Sequence, residues 1–145
     1  MTTPILNGQV LGVAANATRA VLDRLLAEHG TTANKWIALR ATAVAGGELP
    51  TAELVDRLVD GLKIGSSEAL GAVSDLVAAG LLASLPGEPS RIALTDAGRG
   101  RYEQISEQLA EITGRIYADL PPEDLAAAGR VLTIVAARAN AELAA

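Results

Sequence analysis

The chain has 145 residues, half of them hydrophobic, but no Phe, one Trp and two Tyr, so a core must come from Leu, Val, Ile and Ala. It has no cysteine and a single histidine, which excludes disulfides, thiolate nucleophiles and thiolate or histidine-based zinc sites. Net charge is −5, no apolar run approaches the about 18 residues of a membrane span, and the opening MTTPILNGQV lacks the features of a signal peptide; a cytoplasmic protein with no membrane association is expected.

In chain order, residues 5–28 read as a helix, with Ile5, Val10, Val13, Ala17, Val21 and Leu25 at helical spacings and Leu22 and Leu26 widening the stripe. His29-Gly30 ends it. Thr32 is placed to cap a second helix on which Trp36, Leu39 and Ala43 share a face, closed by Gly46-Gly47. Thr51 is a good N-cap for a third helix, with Leu54, Leu58 and Leu62 at i, i+4, i+8. Lys63-Ile64-Gly65 suits a turn, with Gly65 in the left-handed conformation that stops a helix. Ser66 and Ser67 then offer a new N-cap for a fourth helix over about 66–79, whose stripe is Leu70, Val73, Leu76 and Val77. Residues 81–85 read as a strand, Pro86-Gly87-Glu88-Pro89 as a turn and residues 90–94 as the return strand, with Ile92 and Leu94 inward. Thr95 caps a fifth helix running to about Leu120, on which Tyr102, Ile105, Leu109, Ile112 and Ile116 repeat at 3, 4, 3, 4. Pro121-Pro122 breaks it, and Glu123-Asp124 open a last helix carrying Leu125, Leu132, Val135 and Leu143.

Helix, three-residue turn, helix and hairpin describe a winged helix-turn-helix, in which the second helix enters the major groove and the hairpin touches backbone or minor groove. The alternative is that these elements are only part of a helical core. The expected class is mainly α with a small β-hairpin wing (α+β). A fifth helix of about 24 residues spans about 36 Å. A lobe of about 70 residues has a radius of gyration near 11 Å, so such a helix projects beyond it. Its apolar seam then calls for the first and last helices, from the same chain and from a second copy, and a two-fold dimer is the economical solution. A self-sufficient monomeric bundle is the alternative.

In this order of elements the chain resembles the MarR family of bacterial transcription regulators. The resemblance runs from about Ile5 to Leu143 and is carried by TTANKWIAL at 31–39, LVAAGLL at 76–82, LTDAG at 94–98 followed by Arg99-Gly100-Arg101, and LPPEDL at 120–125. It implies one MarR-like domain over 1–145, with dimerisation helices at 1–30 and 99–145 and a winged lobe at 31–98. Within that lobe it implies a recognition helix at about 66–79 and a wing at about 81–94. It further implies a homodimer on double-stranded DNA at a palindromic operator. Release by a small phenolic or anionic ligand, entering a crevice between dimerisation helices and DNA-binding lobe, is also implied. The cysteine-based oxidation sensing of some members is excluded by composition.

Against the family pattern, the fourth helix has Leu70-Gly71 where a polar or basic residue is usual and Asp75 where Arg or Lys often precedes the last core leucine. The wing tip lacks the family's Asp-x-Arg element, and Arg91, outward by alternation with Ile92, is its basic candidate. Residues 31–101 hold seven basic and eight acidic residues, a near-neutral balance for a surface facing phosphates. Ser66 and Ser67 suit phosphate contact, Glu68 a cytosine amine and Ala72 a thymine methyl. Lys63 and Arg57 are the other candidate phosphate partners, against a reading as ordinary surface charge. For the ligand the candidates are Trp36, Arg40 one turn later and His29, against readings as a core aromatic and a helix-end histidine.

Two functions follow. One is a ligand-responsive, DNA-binding regulator; the other is a dimeric scaffold of the same fold that has lost specific DNA binding and holds a ligand or a protein partner. An enzyme is not expected: the chain has no nucleophile elbow, no GxxxxGK[ST] and no HExxH, and Glu107 and Glu111 read as a solvated face. No catalytic residue, metal or cofactor is assigned.

Overall fold

A computed structural model describes residues 3–145; the first two residues of the expected dimerisation segment 1–30 lie outside the described residues. Among the described residues the order is α1 (Gly8–Glu28), α2 (Ala33–Val44), β1 (Glu48–Pro50), α3 (Thr51–Leu62), α4 (Ser66–Ala78), β2 (Leu82–Leu85), β3 (Glu88–Leu94), α5 (Asp96–Ile116) and α6 (Pro122–Ala144). The chain divides into two compact units after Leu109. No helix among the described residues is long and apolar enough to cross a membrane.

In the first unit, α1 starts three residues later than its apolar pattern suggests, because the Asn7 side chain accepts from the Val10 N–H and fixes the cap there. The core takes Leu25 and Leu26 from α1, Trp36 and Leu39 from α2, Leu54 and Leu58 from α3, Val73 and Leu76 from α4, and Ile105 from α5. Thr42 is the buried polar residue among them, satisfied by donating to the Ala38 carbonyl one turn back (2.9 Å). α4 ends in a Schellman arrangement: the Gly80 N–H bonds the Val77 carbonyl, the Leu81 N–H bonds the Leu76 carbonyl, and Gly80 has φ +77°.

The expected two-stranded hairpin has a third member. β1 pairs antiparallel with β3 to give the order β1-β3-β2, with Leu49 opposite Ile92 and Pro50 opposite Arg91. Three residues ending in proline carry almost no strand signal, but an edge strand tolerates the missing N–H. Pro86-Gly87 alone makes the turn, with Gly87 at φ +79°, and β3 begins at Glu88.

Thr95 caps α5 as its sequence position suggests. Its Oγ1 accepts from the Gly98 N–H (2.9 Å) and donates to the Gly80 carbonyl (2.7 Å), tying the start of α5 to the end of α4. Gly98 is buried, and a Cβ there would overlap the Leu81 carbonyl oxygen. The LTDAG stretch therefore encodes a capped helix start pressed against the chain entering the wing.

The second unit contains the end of α5 and all of α6. α5 stops at Ile116, short of the expected Leu120, and Asp119 takes a positive φ before Pro121-Pro122. No residue of α6 is buried, and Leu125, Val131, Ile134, Val135 and Leu143 are exposed.

Candidate nucleic-acid interface

The turn between α3 and α4 corrects three expectations. α3 begins at Thr51 itself, with Pro50 in the cap position. The left-handed residue that ends α3 is Lys63 (φ 56°, ψ 41°), and Gly65, in an extended conformation, is the N-cap of α4. Ser66 and Ser67 are accordingly the first helical residues and not the cap. No side chain caps this terminus, so the first N–H groups of α4 point outward beside the exposed hydroxyls of Ser66 and Ser67.

The buried face of α4 is Ala69, Ala72, Val73 and Leu76, at i, i+3, i+4, i+7. Leu70 and Val77, expected inside, are 49% and 40% exposed. Two alanines on the inner face let α4 lie close against α2 and α3, which it contacts, and the larger Leu70 is turned out. This removes one candidate reader: Ala72 is 6% exposed and its methyl faces the core, so it is withdrawn as a thymine contact. The helical step places Ser67, Gly71 and Ser74 along the outermost line, all exposed, with Glu68 and Asp75 exposed at one flank and Leu70 at the other.

The candidate cations differ in their surroundings. Arg57 Nη2 meets Glu53 Oε1 at 2.7 Å, one turn earlier on α3. Arg91 is shared between Glu48 on β1 (3.6 Å) and Glu88 near the wing tip (3.7 Å). Exposed Lys63 and Arg40 form no ion pair among the described residues. The Glu88 contact is an i, i+3 pair visible in sequence; the Glu48 contact needs the β1–β3 pairing and is not.

The three candidate ligand residues do not converge. Trp36 is 2% exposed and stacks on Tyr102, with centroids 5.6 Å apart and planes at 20°; its Nε1 has no hydrogen-bond partner. This is the core position that the Leu39 spacing allowed. His29 is half-buried, its Nε2 donating to Gln108 Oε1 and its carbonyl accepting from Arg101 Nη1, both at 2.8 Å. It lines a pocket with Lys35 and Arg101 whose wall includes neither Trp36 nor Arg40.

A three-residue turn, an α4 with one exposed face, and a three-stranded wing entered through a capped helix start are the decisive geometry. The chain has the MarR-type winged-helix fold. A MarR-family regulator from Silicibacter pomeroyi matches with a TM-score of 0.71 at 23% identity, over 87% of this chain and 84% of that one. A MarR-family regulator from Rhodococcus matches with a TM-score of 0.73 at 17% identity, over 89% and 91%. BpsR of Bordetella bronchiseptica, whose DNA binding is regulated by 6-hydroxynicotinic acid, matches with a TM-score of 0.71 at 21% identity, over 92% and 99%. No protein-family model matches the sequence, and no curated protein matches it. The MarR-type fold is thus kept with little of its neighbours' sequence, and the departures fall on the α4 and wing surfaces.

Proposed function

We propose that this chain is a non-enzymatic, DNA-binding transcription regulator of MarR type. It acts as a homodimer on a palindromic operator, with a small aromatic or anionic ligand controlling release. The observation that carries this reading is the presentation of α4: its alanine face is spent on the core, and its Ser67–Gly71–Ser74 line is left exposed behind an uncapped, anion-attracting N-terminus. In this reading Ser66, Ser67 and Lys63 bind phosphate, Arg57 and Arg91 add charge from α3 and the wing, and Glu68 accepts from a cytosine amine. The small outward side chains of α4 let its backbone approach the base edges closely, with sequence preference coming largely from groove shape. The buried, unpartnered indole N–H of Trp36 and the exposed Arg40 one turn on favour a ligand near α2.

Lys63→Ala and Arg91→Ala should each weaken binding to every DNA sequence alike and lower the slope of log affinity against log salt by about 1. Unchanged affinity in both variants removes them as phosphate contacts. A second reading is favoured by a specific observation: two of the three candidate phosphate cations already sit against glutamates. In that reading the fold persists as a dimeric ligand- or protein-binding scaffold, and the exposed Leu70 and Val77 belong to a protein contact.

A further inference from the structure

A pocket of about 260 Å³ lies where α1 turns into α2, walled by His29, Lys35, Arg101, Asp75, Leu76 and Leu81. Its charges are unequally matched. Lys35 Nζ stands 3.9 Å from Asp75 Oδ2, beyond the about 2.7–2.9 Å of a charge-assisted hydrogen bond, and the Asp75 side chain is 63% exposed. Arg101 forms no ion pair among the described residues. One of its nitrogens is held by the His29 carbonyl at the end of α1, which fixes the guanidinium while leaving its other donors for a guest. Buried Leu76 and half-buried Leu81 add apolar wall to the same cavity.

The geometry points to a binding site for a small organic carboxylate, its anionic end between Lys35 and Arg101 and its apolar body against Leu76 and Leu81. The volume lies below the about 300–1,000 Å³ typical of sites for drug-sized ligands, which restricts the guest to roughly one ring. Because a bound carboxylate takes Lys35, it competes with Asp75, and Asp75 stands on α4. Filling the pocket therefore releases a negative charge from its only cation on the helix whose outer face is the candidate DNA reader. Binding itself does not rest on the regulator reading; only its consequence for DNA does.

The test is calorimetric titration of the full chain with benzoate, in the absence of DNA. Saturable binding at one site per chain is expected. It should weaken about tenfold in Lys35→Gln, which removes a charged partner, and tighten several-fold in Asp75→Asn, which removes the competing carboxylate. Arg40→Ala, outside the pocket, should leave it unchanged. Absence of saturable binding overturns the proposal, as does binding that ignores both Lys35→Gln and Asp75→Asn. Binding lost in Arg40→Ala but kept in Lys35→Gln places benzoate near α2, which supports the ligand reading above and overturns this one. Equal affinity for inorganic phosphate overturns the assignment of a carboxylate with an apolar body. If the wild-type chain binds benzoate but no DNA, the pocket stands and the regulator reading fails.

Discussion

Gly98 and Gly114 both lie within α5, where replacing glycine by alanine ordinarily stabilises by about 1 kcal/mol. Their surroundings separate them. A Cβ at Gly98 overlaps the Leu81 carbonyl, whereas nothing lies within 4 Å of one at Gly114. Gly98→Ala should therefore lower stability by about 1–3 kcal/mol through overpacking, and Gly114→Ala should raise it by about 0.5–1 kcal/mol. Denaturant unfolding of both variants measures the contrast, and a gain in Gly98→Ala contradicts the packing described. Lys63 gives a second residue-scale test. A non-glycine residue in the left-handed region costs about 1–2 kcal/mol, so Lys63→Gly should hold or raise stability while lowering DNA affinity. That combination would separate its phosphate role from a structural one.

At the scale of elements, the helices that pack leucines were legible. Leu54 and Leu58 on α3 recur at i, i+4 and both are fully buried. The inner face of α4 was misread because Leu70 outweighs Ala69 and Ala72 in any reckoning by hydrophobicity, while close helix packing selects the small residues. β1 was illegible for another reason: a three-residue strand has no periodicity, and its existence depends on β3, more than forty residues away. The candidate site was less legible than the fold, since it is defined by what each cation faces, and Glu48 reaches Arg91 only through that strand pairing. Freeing the wing arginine is a direct probe. Glu48→Gln combined with Glu88→Gln should raise DNA affinity and steepen its salt dependence, because Arg91 is then available and two like charges are gone. Gel-shift titration over a range of salt reads both effects, and unchanged binding argues that the wing does not approach DNA.

At the scale of the whole molecule, apolar surface is left open in both units. Ile5 and Val13 in the first unit are 83% and 65% exposed. In the second, α6 buries nothing and exposes Ile134 and Val135. Such surface suits self-association, and a two-fold dimer is the expected state. Ile134→Glu with Val135→Glu should shift the sedimenting species from dimer toward monomer while leaving helical content intact, and an unaltered dimer would exclude this face of α6. A dimer also presents two α4 helices, the arrangement that a palindromic site requires. With a net charge of −5 the molecule has little general attraction to nucleic acid, so any binding must come from local groups on α3, α4 and the wing. The central claim is that this fold still reads DNA, and selecting bound fragments of the source genome with the purified chain, at low and at moderate salt, tests it most directly. A palindromic fragment enriched at low salt and lost as salt rises is the expected result; no enrichment by a folded dimer at either salt would contradict the claim and turn attention to protein partners.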